Sequence, residues 1–62
     1  MVIIEYTINT QNYDMSFEAK SDAQEFWDDL SKKERETGQF FKKEWIIKDN
    51  EVIAEGEVII YN

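Results

Sequence analysis

The sequence predicts an α+β fold of order ββαββ: a four-stranded sheet made of two β-hairpins, with one α-helix packed on one face. Three observations carry this. Apolar residues alternate with polar ones from Ile4 to Ala19 and again from Phe40 to Tyr61; the period changes to three and four between Ser21 and Gly38; and turn-forming residues sit inside each alternating stretch. A chain of 62 residues buries only about 60% of the surface its unfolded form exposes, so it is read as one domain, residues 1–62, with one small core.

In the first alternating stretch the apolar set is Ile4, Tyr6 and Ile8, then Tyr13, Met15, Phe17 and Ala19, around the turn-forming cluster Asn9-Thr10-Gln11-Asn12. A four-residue loop there sets Ile8 opposite Tyr13, Tyr6 opposite Met15 and Ile4 opposite Phe17, with all the large residues on one side. At Ser21 the pattern becomes helical. Ser21-Asp22-Ala23-Gln24 reads as a capping box, and Ala23, Phe26, Trp27 and Leu30 form one apolar stripe. Thr37-Gly38 supplies a left-handed stop. Beyond Leu30 the helix is polar all round, an overhang expected to be held by Asp28 with Lys32 and Asp29 with Lys33.

The second hairpin turns at Asp49-Asn50, two residue types that tolerate the positive φ angles of a type I′ turn. Pairing Lys48 with Glu51 places Ile47 opposite Val52, Trp45 opposite Ala54 and Phe41 opposite Val58 on the core face. The core is thus expected to hold Ile4, Tyr6, Met15, Phe17, Phe26, Trp27, Leu30, Trp45, Val52 and Val58. The same register sets Glu44 against Glu55, a like-charge contact, and Lys42 against Glu57. Gly56 marks the place where a bulge is expected.

This order of elements resembles the layout of the immunoglobulin-binding domains of streptococcal surface proteins and, more broadly, β-grasp modules. The resemblance is one of layout alone and implies a first and a last strand lying side by side and parallel. An all-antiparallel sheet crossed by the helix is the other arrangement open to the pattern.

Seven Lys/Arg stand against fourteen Asp/Glu, a net charge of −7 at pH 7, which repels nucleic-acid phosphates and anionic membranes. The absence of cysteine removes disulfide frameworks and thiolate metal sites, and with the lack of any membrane-length apolar run it points to the cytoplasm. With no histidine either, the usual proton shuttles and activated nucleophiles are missing, and Ser16, Ser21 and Ser31 sit in no nucleophile elbow. Asp28 and Asp29 are adjacent on the helix and point about 100° apart. Glu25 and Asp29 share a face without the spacing of a calcium loop. No enzyme activity, cofactor or metal is expected. Lys32, Lys33, Arg35, Lys42 and Lys43 gather in one window beside Phe40 and Phe41, but helix-end lysines and the interrupting glutamates account for that cluster, so nucleic acid is not expected as a partner.

What remains is surface. On the face opposite the expected core the register collects Phe40, Ile46, Ile53, Ile59 and Tyr61, with Ile3 nearby, and these are the candidate interface residues. The function expected is that of a small acidic interaction module, binding a protein partner or a second copy through this outer face or an exposed strand edge. The alternative is an acidic mimic of nucleic acid, of the kind phages and mobile elements use to block nucleic-acid-binding proteins. Acid spread along the whole chain rather than gathered on one surface favours the first reading.

Overall fold

The computed structural model describes residues Met1–Tyr61. Four strands, β1 (Val2–Asn9), β2 (Asp14–Phe17), β3 (Gln39–Lys48) and β4 (Glu51–Tyr61), form one sheet, and two helices, α1 (Lys20–Asp29) and α2 (Lys32–Thr37), connect β2 to β3. The α+β class follows, with two helices in place of the single one expected. Strand order is β2-β1-β3-β4 and every pairing is antiparallel. The first and last strands are therefore not neighbours, which excludes the β-grasp arrangement and leaves the all-antiparallel one.

The break between the helices has a local cause. Leu30 leaves helical geometry at ψ 150°, and the Ser31 hydroxyl accepts from the Glu34 backbone N–H at 3.2 Å, opening α2. Arg35 folds back to donate to the Leu30 and Asp28 carbonyls, satisfying acceptors that the end of α1 leaves open. The expected Ser21 cap is not used: the cap position falls two residues earlier, at Ala19, without a side-chain cap. Of the lysines in the expected helical pairs, Lys32 is used differently, lying 3.9 Å from Glu36. Gly38 is not left-handed, its φ being −110°. It is required for another reason, since a Cβ there would lie 2.6 Å from Thr10 Cγ2 and 2.9 Å from the Glu34 carbonyl oxygen.

That close approach belongs to a small polar lock. Thr10 Oγ1 accepts from the backbone N–H groups of Asn12 and Tyr13, shaping the β1–β2 loop, and the Asn12 amide donates to the Glu34 carboxylate of α2. Hydrogen bonds from Thr10 and then Asn12 hold the Glu34 carboxyl below its ordinary value, against a smaller opposing effect of desolvation.

The first hairpin keeps the expected faces but slides by two residues, pairing Ile8 with Met15 and Tyr6 with Phe17 around a loop closed by Thr10 N–H donating to the Tyr13 carbonyl at 2.8 Å. An even shift preserves every side chain's face. The second hairpin does not keep its faces. Asp49 and Asn50 have the expected positive φ, and Lys48–Glu51 and Ile47–Val52 pair as expected, but the register then slips at Ile53, so that Ile46 meets Ala54 and Trp45 meets Glu55. A second shift, at Ile60, sets Phe40 beside Tyr61. Gly56, where a bulge was expected, lies in regular pairing, and a Cβ there would meet nothing. The slip has an electrostatic consequence: Glu44 faces Gly56 instead of Glu55, and Lys43 faces Glu57.

The parity of β3 is also reversed, whereas β4 beyond the slip keeps its expected faces. Phe40, not Phe41, points under the helix, because Ile8 pairs with Phe40 and Ile8 is the residue of β1 that α1 covers. The core is Ile8, Ala23, Trp27, Leu30 and Phe40, flanked by Tyr6, Phe17, Phe26 and Ile60. Trp27 is its centre, stacked on Tyr61 at 5.6 Å and tilted against Phe40 at 5.8 Å. Of the expected core, Trp27 and Leu30 are buried and Tyr6, Phe17 and Phe26 pack against them, whereas Ile4, Met15, Val52 and Val58 are exposed and Trp45 lies half-buried on the other face.

Two outcomes test this packing. Trp27→Ala should cost about 3–5 kcal/mol, read from urea unfolding, because it removes the ring on which Phe40 and Tyr61 both rest. Glu34 is stabilised in its charged form by folding, so its contribution is present above its ordinary value near 4.5 and lost as pH falls through the lowered one. Unfolding curves between about pH 7 and pH 3 should show stability dropping across that window, with a shallower drop in Glu34→Gln.

Candidate functional site

The molecule is long: 43 × 18 × 16 Å, with a Cα radius of gyration of 13.0 Å. A compact chain of this length would have about 10.5 Å. The reason is a mismatch of element lengths. The ten residues of α1 rise about 15 Å, whereas the β3–β4 hairpin, with strands of ten and eleven residues, runs about 35 Å. The helices cover the end of the sheet that holds Ile8, Phe40 and Tyr61, and the turn end stays bare on both faces.

On the helix-facing side, Val2, Ile46 and Ala54 form one cross-strand row and Ile4, Glu44 and Gly56 the next. Val2 is 55% exposed and Ile46 37%. On the outer side the rows are Ile3–Trp45–Glu55, Glu5–Lys43–Glu57 and Thr7–Phe41–Ile59, with Ile53 standing out at the bulge. Glu5 there accepts from the hydroxyls of Thr7 and Ser16, each at 3.4 Å, and Lys43 lies 5.5 Å from the centre of the Phe41 ring.

The two faces differ in charge. The outer face carries Glu5, Asp14, Glu55 and Glu57 against Lys43 alone. The helix-facing side carries Lys42 and Glu44, whose charged groups are 3.7 Å apart, and the cross-strand pair Lys48 and Glu51, two positive and two negative residues. An acidic protein thus has a sheet face without net charge.

The five candidate interface residues are split up by the structure. Phe40 is fully buried in the core, and Tyr61 stacks on Trp27, so neither belongs to an outer-face patch. Ile46 lies on the helix-facing side, beyond the reach of the helix. Ile53 and Ile59 remain on the outer face, 57% and 52% exposed. The expectation failed at Phe40 because both parities of β3 offer an aromatic residue, Phe40 or Phe41, and pattern alone cannot choose between them.

The sequence pattern places Ile4 in the core and Ile3 beside the outer patch, leaves out Val2, and does not join the three. The signal was present: three apolar residues in succession break the alternation and put apolar groups on both faces of β1. Beside them β2 ends at Phe17, paired with Tyr6, so β1 from Val2 to Glu5 has no neighbour on that side. A groove of about 570 Å³ occupies the missing strand's place, bounded by Val2 to Glu5 and Ser16 to Glu18.

The charged groups weighed for other chemistry are dispersed. Among the described residues, no group of three acidic side chains converges as a metal site would require. Of the basic cluster, Arg35 is turned onto the Leu30 and Asp28 carbonyls, Lys32 lies near Glu36, Lys42 near Glu44 and Lys43 over Phe41. Among the described residues no helix is long and apolar enough to cross a membrane. Comparisons with protein-family models, curated proteins and solved structures give no match to this chain.

The division of the sheet into a covered and a bare half has a direct test. Phe40→Ala should cost about 3–5 kcal/mol, while Ile53→Lys should change unfolding free energy by less than about 0.5 kcal/mol, since Ile53 is 57% exposed and outside the core.

Proposed function

We propose that this protein acts by stoichiometric binding, as a small interaction module whose binding surface is the half of the sheet beyond the helices. The observation that carries the reading is the exposure, by more than one-third each, of Val2, Ile4 and Ile46 on the helix-facing side and of Ile3 and Ile53 on the outer side of a sheet that extends well past its helical cover. A monomer gains nothing in stability from apolar residues left in water, and a contiguous exposed apolar area marks an interaction surface more often than isolated residues do. The acid of the outer face is interrupted by Lys43 and by the apolar Ile3, Trp45, Phe41 and Ile59, and the helix-facing side is charge-balanced, so neither face gives comparable support to a nucleic-acid mimic, which would need carboxylates in phosphate-like array.

Site-specific photo-cross-linking in the native host tests this reading. A photoreactive residue at Ile46 or Ile53 should give a discrete protein adduct, while one at Glu25 on the helix should not. The reading is overturned by the absence of adducts at both sheet positions, or by the same adducts from the helix.

A further inference from the structure

We propose that the free edge of β1 is a dimerisation edge: Val2-Ile3-Ile4 of one molecule pairs antiparallel with the same segment of a second copy, joining two sheets into one of eight strands. This rests on the module reading above and names both the partner and the contact.

The backbone supplies the first argument. Ile47 N–H donates to the Met1 carbonyl at 2.8 Å, which makes Met1 and Ile47 a hydrogen-bonded pair. Antiparallel ladders alternate, so with Val2 opposite Ile46 and Ile3 opposite Trp45 it is the odd residues of β1 that bond to β3. The N–H and C=O groups of Val2 and Ile4 therefore point the other way, along the line where Tyr6 and Ile8 meet β2. Since β2 stops at Phe17, they point into the groove. A two-fold antiparallel pairing centred on Ile3 sets Val2 of each copy against Ile4 of the other, and these are the residues with bonding groups to offer. The edge is self-complementary, giving four backbone hydrogen bonds with no change in either fold.

Charge supplies the second argument and selects the edge at which two copies can meet. Two copies of a protein of charge −7 repel unless they meet where acid is absent. Val2, Ile3 and Ile4 carry none. The other edge of the sheet, β4, is longer, but a two-fold pairing centred on its middle residue, Gly56, would set Glu55 of each copy against Glu57 of the other, twice. In that central register the longer edge is opposed by like charge, a device natural sheets use against unwanted pairing, while the pairing at Val2 to Ile4 meets none. Pairing at β1 also aligns the charge-neutral helix-facing sides of the two copies into one surface, with Val2, Ile4 and Ile46 of each contributing.

A cysteine-free chain allows a clean test. In the proposed register Ile3 lies opposite Ile3 of the second copy in a non-hydrogen-bonded position, where Cα atoms are about 4.5 Å apart, within the range a disulfide spans. Under mild oxidation Ile3→Cys should form a covalent dimer rapidly, while Ile59→Cys on the β4 edge should not. Ile4→Pro removes an edge N–H that β3 does not use, and should weaken dimerisation in sedimentation velocity by about tenfold or more with the circular dichroism spectrum retained. If Ile4→Pro does not fold, the cysteine pair decides. A wild-type monomer at millimolar concentration, with no preferential cross-linking of Ile3→Cys, overturns the edge pairing while leaving the module reading to its own photo-cross-linking result. A wild-type dimer that cross-links better through Ile59→Cys also overturns it, and places the contact on β4.

Discussion

The contact among Trp27, Phe40 and Tyr61 is the interaction on which the rest of this structure depends. It is the point where the helix, the third strand and the end of the fourth strand meet, and it lies at one end of the sheet rather than over its middle. A ten-residue helix brought down at that end can cover Ile8 and its neighbours but not the Asp49-Asn50 turn, which lies several cross-strand rows away. The asymmetry between a closed half and an open half follows from where one tryptophan docks. So does the division of labour proposed above, in which one end of the molecule holds it folded and the other is available to a partner.

The far half of the sheet keeps its form without helical cover through devices internal to the hairpin. The type I′ turn matches strand twist, and the slip at Ile53 removes a Glu44–Glu55 opposition while creating the Glu5–Lys43–Glu57 row, in which one lysine lies between two glutamates on adjacent strands. A bulge is a local loss of pairing; here it exchanges repulsive neighbours for attractive ones along the rest of β4. The Thr10–Asn12–Glu34 lock does similar work at the other end, tying the first loop to α2 through polar contacts where no apolar residue of α2 is buried.

Much of this architecture was legible in the sequence, and the residues that were not share a physical reason. The two hairpins, the stripe Ala23, Phe26, Trp27 and Leu30, and the Asp49-Asn50 turn follow from period and turn chemistry, which are local. The start of α2 was missed, since Ser31-Lys32-Lys33-Glu34 has the spacing of a cap but lies inside what reads as one continuous polar helix. Face assignment in β3 was not legible, because Phe40 and Phe41 are both large and apolar, and the choice is made by pairing with Ile8, a contact distant in sequence. That pairing puts Phe40 in the core, while the extra residues at Ile53 and Ile60 change the partners along β4, bringing Tyr61, still 45% exposed, beside Phe40 and against Trp27 and leaving Ile53 and Ile59 on the outer face. The open edge at Val2 and Ile4 depends on where β2 ends, a property of two strands together.

The central claim is that the uncovered half of the sheet is an association surface, entered at the edge of β1. Residue-resolved amide hydrogen exchange in dilute and in concentrated samples tests it most directly. The Val2 and Ile4 amides should exchange freely when dilute and gain protection as concentration rises, while Ile8, Ala23 and Phe40 exchange at the same slow rate in both. Identical exchange at Val2 and Ile4 across the concentration range would contradict the account.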